Sequence, residues 1–236
     1  MSLWRHLMET VRIAKQAGFR AGLERFVLGR HRYEALRDLP YVEPLLLSRP
    51  TLSDLSPLER NFVRCSDIYA FLPTLYRMAL KSRRGRILEL GVGSGESTIV
   101  FLAAAKEMGG HVTSVDIESC FAAQNRVKDA GLSGFWTFVQ EDDLALPWNR
   151  PIDHLFIDTS HRFDHTMMEL EKYERWVVPG GTLLMHDTTL FPEVWQAIET
   201  YFRGRDDVDI SRYFHNNGLA IVAKASPRSN SSRKRE

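Results

Sequence analysis

The chain has 236 residues, with 31 lysines and arginines against 30 aspartates and glutamates, so its net charge is +1. This near-neutral balance argues against a protein that coats nucleic acid. The longest apolar run, residues 99–105, is far too short to span a membrane, and charged side chains interrupt the first ten residues, so no secretory signal is predicted. Cys65 and Cys120 have neither disulfide nor metal spacing. That usage suits a reducing compartment, and the sequence predicts a cytoplasmic protein.

Residues 1–83 are predicted to form a helical N-terminal extension and lid. Apolar residues recur at helical spacing over residues 4–27, and prolines mark a connecting segment over residues 39–60. Residues 66–82 are predicted to be a helix that Pro73 kinks. The first helix combines Trp, Phe and Arg, a composition found at membrane surfaces. A cap over a ligand site or a contact in a homodimer is the preferred interpretation.

From residue 86 onward, short β-rich runs alternate with helical segments. The predicted strands are residues 86–90, 111–116, 135–140, 152–158, 181–187, 208–214 and 219–225. The predicted helices are residues 96–106, 119–131, 162–176 and 193–203. Repeated β-α units with apolar strands predict an α/β fold with a doubly wound, mostly parallel, seven-stranded sheet. The polar tail, residues 226–236, is predicted to be disordered and basic.

The stretch RILELGVGSGEST, residues 86–98, places Gly91, Gly93 and Gly95 at alternate positions directly after the first strand. A bare backbone between a strand and a helix lets a ligand approach the main chain closely. A nicotinamide site would have the spacing G-x-G-x-x-G, but Glu96 occupies the position of its third glycine. A phosphate-binding P-loop is excluded because no Gly-Lys-Ser/Thr follows.

Acidic residues accompany the glycines. Asp116 ends the second strand, where a carboxylate can accept hydrogen bonds from both hydroxyls of a ribose. Asp142 follows the third strand and is a candidate for binding an adenine amino group, with Glu141 and Asp143 as competitors. Two simpler interpretations remain: Asp116 caps the next helix, or the glycines only allow tight helix packing. Taken together, the pattern favours an adenosine-containing ligand.

This pattern resembles the class I S-adenosylmethionine-dependent methyltransferases, over about residues 84–224. The motif E-x-G-x-G-x-G, the two later acids and the lead into the fifth strand carry the resemblance, through Glu89, Gly91, Gly93, Gly95, Asp116, Asp142 and residues 177–187. The resemblance implies a Rossmann-like methyltransferase sheet with S-adenosylmethionine as the cofactor. It also implies that the glycines pass beneath the methionine part, that Asp116 binds ribose and that Asp142 binds adenine.

The acceptor site is predicted where the fourth and fifth strands end. DNA and protein-amide methyltransferases of this superfamily carry Asn or Asp followed by Pro-Pro and an aromatic residue there, and this motif is missing. Asp158 and His161 follow the fourth strand instead, and His186 and Asp187 end the fifth. Carboxylates with a histidine ligand could hold a divalent cation. His161, with an ordinary pKa of about 6.5, could accept a hydroxyl proton.

This half of the chain is similar to a branch that includes macrolide-sugar O-methyltransferases and cephalosporin-hydroxylase-like proteins. By that resemblance, Asp158 and Asp187 match metal ligands and His161 matches the catalytic base. His186 departs from the branch, which has Glu at that position. A neutral imidazole removes one negative charge from the site, so Mg²⁺ is less favoured, and Mn²⁺, Fe²⁺, Zn²⁺ or no metal at all remains open.

Simpler interpretations of this region remain open. Asp158 could only cap the helix that begins near His161. His161 and His165, four residues apart on that predicted helix, could be surface residues and not a metal-binding pair.

The sequence thus predicts methyl transfer from S-adenosylmethionine to a hydroxyl of a small molecule, a sugar or polyol, with or without a metal. The alternatives are metal-independent transfer to another acceptor and a cofactor-binding protein without catalysis. A small-molecule substrate is the expected partner and no nucleic acid is expected. The catalytic domain is predicted over residues 84–225.

Overall fold

The computed structural model describes residues 55–63, 66–82 and 84–226. The helices are α1 (Pro57–Val63), α2 (Leu72–Leu80), α3 (Glu96–Met108), α4 (Phe121–Asp129), α5 (Phe163–Tyr173) and α6 (Pro192–Tyr201). The strands are β1 (Arg86–Leu90), β2 (His111–Asp116), β3 (Trp136–Gln140), β4 (Ile152–Ile157), β5 (Val177–His186), β6 (Val208–Tyr213) and β7 (Leu219–Lys224). The predicted N-terminal helix and the basic tail from residue 227 lie outside the described residues.

The seven strands form one sheet with the order β3-β2-β1-β4-β5-β7-β6. Strands β1 to β5 run parallel, and β7 pairs antiparallel with both β5 and β6. The predicted doubly wound, mostly parallel α/β sheet is therefore confirmed. The strand order reverses between β1 and β4, and ligands of such sheets bind at that point, outside the carboxyl ends of the strands.

The core explains why the strands are apolar along their whole length. Every residue of β4 is buried, because helices cover both faces of the sheet. On one face, Phe101 of α3 packs against Phe156 of β4 at 5.4 Å between ring centroids. On the other face, Leu155 lies in one apolar cluster with Leu170 and Tyr173 of α5. Because helices pack on both faces of the sheet, the carboxyl ends of β1 to β5 are held in fixed positions, and a site can form at this edge.

Two predicted element starts differ most from the structure. Helix α2 begins at Leu72, so Pro73 lies in its first turn and the predicted kink is wrong. A proline there removes only an amide that has no partner within the helix, so it fits without bending the axis. Strand β5 begins at Val177, before the Pro-Gly-Gly sequence, and the pairing with β4 shifts register there. No helix among the described residues is long and apolar enough to cross a membrane.

Candidate active site

The glycine turn after β1 uses its three glycines in three different ways. All three have positive φ, which favours glycine. A Cβ on Gly91 would lie 2.0 Å from the carbonyl oxygen of Asp158, and one on Gly95 would lie 2.8 Å from Cβ of Ala123. A Cβ on Gly93 would meet nothing within 4 Å. Gly91 and Gly95 thus allow close packing, whereas Gly93 borders open space.

Glu89 fixes the base of this turn and does not line the pocket. Its carboxylate is fully buried and accepts hydrogen bonds from the hydroxyls of Ser97 (2.6 Å), Thr98 (2.9 Å) and Ser114 (2.5 Å). Burial raises the pKa of Glu89 to about 7, although the three hydroxyls act in the opposite direction. Because these partners come from α3 and β2, Glu89 holds both elements against the end of β1.

Asp116 accepts hydrogen bonds from the turn. Its Oδ2 accepts from the amides of Val92 (2.8 Å) and Gly93 (3.2 Å), and its Oδ1 accepts from the amide of Glu118 (2.9 Å). Burial pushes the pKa of Asp116 upward, but these amides outweigh it and hold the pKa below its ordinary value. The charged carboxylate therefore stands at the wall of the cavity with its orientation already set.

A cavity of about 450 Å³ lies at the carboxyl ends of β1 to β4. Its lining residues are Gly91, Gly93, Val115, Asp116, Ile117, Glu141, Asp142, Asp143, Asp158, Thr159, Ser160 and His165. Four elements thus bring together the predicted Gly91, Gly93, Asp116, Asp142 and Asp158. The cavity lining does not include Gly95, His161, His186 or Asp187.

One residue of the cavity wall was not predicted. Ile117 lines the cavity and is 68% exposed, which is unusual for an isoleucine. The only sign of this role in the sequence is its position directly after Asp116. Asp142 is exposed, and its Oδ1 accepts a hydrogen bond from the amide of Leu144 at 2.8 Å. Glu141 and Asp143 line the same wall, so the geometry leaves all three acids of this loop next to the cavity.

Beside the cavity, the loops after β4 and β5 form a cluster of two carboxylates and two imidazoles. Nε2 of His161 lies 2.8 Å from Oδ2 of Asp187 and 3.9 Å from Oδ1 of Asp158. Nδ1 of His186 lies 3.3 Å from Oδ1 of Asp158 and 3.4 Å from Oδ1 of Asp187. Asp158, His161 and Asp187 offer one ligand atom each within 4.8 Å of one another, and this set contains His161 and not His186.

The charges in this cluster stabilise one another. Interaction with the carboxylates of Asp158 and Asp187 raises the pKa of His161 to about 9. Burial pushes the pKa of His186 downward, but the negative charge of Asp158 outweighs it and the pKa rises to about 9. Burial acts against the charge of Asp158, and both imidazoles overcome it, so the pKa of that carboxyl is well below its ordinary value. Without a bound cation, both rings carry a proton at neutral pH.

Local backbone and packing position three members of the cluster. Asp187 adopts φ +61°, a left-handed conformation that turns its side chain out of strand alternation. The ring of His161 stacks on Phe191 at 3.9 Å between centroids. Nε2 of His186 lies 3.2 Å from the carbonyl oxygen of Asn216, whose side chain accepts a hydrogen bond from the amide of Ala70 at 2.7 Å.

Of the simpler interpretations of this region, the helix cap is wrong. Helix α5 begins at Phe163 with Arg162 as its N-cap residue, and no side chain caps it, so Asp158 is not its cap. His161 precedes that helix, whereas His165 lies within it, so they do not form a pair on one helical face. Both side chains are partly buried, with 32% and 23% exposure.

Residues 88–188 match the profile of a family described as a methyltransferase domain. Three solved structures share the fold. TomG, an O-methyltransferase of Streptomyces achromogenes involved in tomaymycin synthesis and solved in complex with S-adenosylmethionine, is 20% identical; the match covers 74% of this chain and 89% of that chain, with a TM-score of 0.54. The methyltransferase PaMTH1 of Podospora anserina, solved with S-adenosylhomocysteine, is 13% identical, with coverages of 72% and 86% and a TM-score of 0.55.

A candidate caffeoyl-CoA O-methyltransferase of Staphylococcus aureus is 16% identical, with coverages of 78% and 98% and a TM-score of 0.59. At such identities these three likenesses show a shared fold. The family match runs from β1 to just beyond β5, so it includes the glycine turn, the cavity wall and the cluster of carboxylates and imidazoles.

Proposed function

Because residues 88–188 match a methyltransferase domain, we propose that the chain transfers a methyl group from S-adenosylmethionine to a hydroxyl of a small molecule. One observation carries the proposal. Asp158 lines the cavity at the strand ends and also belongs to the cluster formed with His161, His186 and Asp187. A donor held in the cavity would therefore adjoin charged groups that can bind and deprotonate an acceptor.

The cavity is the proposed cofactor site. Three amides already use three of the about four acceptor positions of the Asp116 carboxylate, so its Oδ1 would accept a hydrogen bond from one ribose hydroxyl. Asp142 would accept from the adenine amino group, and the exposed side chain of Ile117 would cover a face of the adenine ring. Gly93, with open space beside it, would let the methionine part lie against the backbone. The cofactor supplies a methyl group made electrophilic by the sulfonium charge.

The cluster is the proposed acceptor site, and it fits a divalent cation. Asp158, His161 and Asp187 present three ligand atoms within 4.8 Å of one another. Nε2 of His161 and Oδ1 of Asp187 are buried without an aligned hydrogen bond. A cation bound there would supply the positive charge that lowers the pKa of a coordinated hydroxyl. His186 would hold Asp158 in place through its Nδ1, since its Nε2 faces a backbone carbonyl.

The raised pKa of His161 favours the metal-assisted form of the reaction. A ring that is protonated at neutral pH cannot accept a proton, so His161 would be a poor base in the metal-free protein. Two carboxylates side by side would also orient neighbouring hydroxyls by accepting their hydrogen bonds. For this reason a sugar or polyol, with adjacent hydroxyls, is the proposed acceptor class.

The test is methyl transfer from labelled S-adenosylmethionine to a panel of sugars, polyols and matching amines, with and without exhaustive chelation. We expect labelled product from hydroxylated acceptors only, lost on chelation and restored by Mn²⁺. An unchanged rate after chelation would reassign Asp158 and Asp187 to hydrogen bonding with the substrate. Transfer to the amines would contradict the proposed acceptor, and cofactor binding without product from any acceptor would favour a non-catalytic protein.

A further inference from the structure

A second group of ligand side chains lies on another wall of the cavity. Asp143 comes from the loop after β3, and His165 and Glu169 lie four residues apart on one face of α5. Nε2 of His165 lies 3.3 Å from Oδ1 of Asp143 and 3.6 Å from Oε1 of Glu169. The three residues offer one ligand atom each within 4.8 Å of one another. None of them belongs to the cluster at the ends of β4 and β5.

Each of the two carboxylates in this group has one buried oxygen without a hydrogen-bond partner in the described part of the chain. The side chain of Glu169 is 0% exposed and that of Asp143 is 10% exposed. Among the described residues, Oε2 of Glu169 and Oδ2 of Asp143 accept no hydrogen bond, although both atoms are buried. Lys172, the nearby cation, donates instead to the backbone carbonyls of Asp143 (2.7 Å) and Leu144 (2.6 Å). Facing buried carboxylates are costly unless a proton or a cation lies between them.

Neighbouring groups hold the three side chains in place. The hydroxyl of Thr159 donates to Oε1 of Glu169 at 2.6 Å, and Tyr173 donates to the carbonyl oxygen of Asp143. Together with the bonds from Lys172, these bonds hold Glu169 on α5 and Asp143 in the loop after β3. Hydrogen bonds behind the ligands are typical of metal sites, where they orient the ligand atoms before the ion binds.

We propose that Asp143, His165 and Glu169 form a second divalent cation site, selective for transition ions such as Mn²⁺, Fe²⁺, Co²⁺ or Zn²⁺. Two carboxylate oxygens and one imidazole nitrogen form a mixed donor set, which suits these ions better than Mg²⁺ or Ca²⁺. His165 and Asp143 line the cavity, so the ion can enter from that side.

The position of the second cation site links ion binding to cofactor binding. Asp143 is adjacent to Asp142 in the loop that borders the cavity, and the ion would tie this loop to α5. Ion and cofactor binding are therefore coupled, and each strengthens the other by the same factor. We expect the ion to tighten binding of S-adenosylhomocysteine by about fivefold or more, the lower end of typical couplings.

The experiment is a titration of the full chain with Co²⁺ and Mn²⁺ alone, by calorimetry and by the visible spectrum of bound Co²⁺. An Asp158→Asn/Asp187→Asn background removes the first cluster, so the outcome does not depend on the proposed function. In that background we expect one ion per chain, lost on adding Glu169→Gln or His165→Gln. Asp164→Asn, which removes an exposed carboxylate beside the group, is the matched control and keeps the ion.

Two results would overturn the proposal: no ion bound in the background variant, or unchanged ion binding in the Glu169→Gln and His165→Gln variants. The first result would mean that Asp143 and Glu169 share a proton instead. If Glu169→Gln does not fold, His165→Gln decides alone, because that side chain is partly exposed at the cavity wall and its loss leaves the core intact.

Discussion

Nε2 of His161 lies 2.8 Å from Oδ2 of Asp187, and this pair joins the loop after β4 to the end of β5. The two carboxylates beside His161 hold a proton on its ring, with a pKa of about 9. A cation bound by the same atoms would have to replace that proton. The protonation state of His161 therefore distinguishes two mechanisms: a metal-assisted reaction, and one in which the neutral histidine itself accepts the proton.

In exhaustively chelated protein, any remaining methyl transfer is expected to rise with pH up to about 9 and then level off. His161 works as a base only when neutral, and its pKa is raised to about 9. His161→Ala should lower the turnover of the chelated protein by about 10²–10⁴-fold, the usual contribution of a general base. The pH profile of kcat checks this. His111→Gln, at the opposite end of β2, is the control, and full activity of His161→Ala would remove the base from the mechanism.

Asp158→Asn and Asp187→Asn should each abolish the activity that Mn²⁺ restores, and Asp187→Asn, which lies outside the cavity lining, should keep its cofactor affinity. The amide keeps the shape of the carboxylate but removes the charge that a cation requires. Asparagine also tolerates the left-handed backbone of Asp187, so this variant should fold. Activity assays with added Mn²⁺, beside calorimetry with S-adenosylhomocysteine, check both halves. Wild-type activity in either variant would exclude that carboxylate as a ligand.

Gly93→Val should abolish binding of S-adenosylmethionine and S-adenosylhomocysteine. The added side chain would fill open space at the cavity wall, where the methionine part is proposed to lie. Gly131→Val is the matched control, because Gly131 also has positive φ and open space around it but does not line the cavity. Both variants should lose about 1–2 kcal/mol of stability through the left-handed strain. Calorimetry should find binding lost in Gly93→Val alone; equal affinities would contradict the cofactor position.

Asp116→Ala should weaken cofactor binding by about 1.5–3 kcal/mol, the size of hydrogen bonds to a charged group. The structure adds a second cause, because the same carboxylate accepts the amides of Val92 and Gly93 and so orders the turn. Asp116→Asn keeps one acceptor oxygen and should lose less. Calorimetry on both variants measures the difference, and full affinity in Asp116→Ala would exclude Asp116 from the ribose site.

Much of this architecture could be predicted from the sequence, because its signals are local. The apolar run of β4 and the alternating helices indicated a doubly wound sheet, and parallel strands end at one edge, so Asp158 and Asp187 were expected to meet. The boundaries at Pro73 and Val177 were missed, because a proline in a first turn and a shifted register look like a kink and a loop in the sequence.

The finer arrangement of the site could not be predicted. The left-handed φ of Asp187 directs its carboxylate toward His161, and no residue pattern signals that conformation in an aspartate. Asp143 and Glu169 meet across a loop and a helix, so their proximity depends on the path of the β3–β4 loop. Such contacts between distant segments are set by packing, which residue spacing does not record.

Folding stability of chelated protein is expected to fall as the pH rises from 6.5 through 9, because His186 and His161 lose their protons in this range. Burial lowers the pKa of the His186 imidazole, but Asp158 and Asp187 raise it to about 9 in the folded state, against about 6.5 in the unfolded chain. A raised pKa gives stability that is complete below pH 6.5 and is lost as the pH passes the folded-state value.

The loss amounts to about 3 kcal/mol at most for His186. Urea unfolding at pH 6.5 and 9.5 measures it. His186→Gln should reduce the dependence and leave the part that comes from His161, whose pKa is also raised to about 9. His111→Gln is the matched control. The comparison between variants cancels the contribution of Glu89, whose raised pKa acts at lower pH. An equal pH dependence in His186→Gln would mean that the ring is neutral in the folded protein and does not neutralise Asp158.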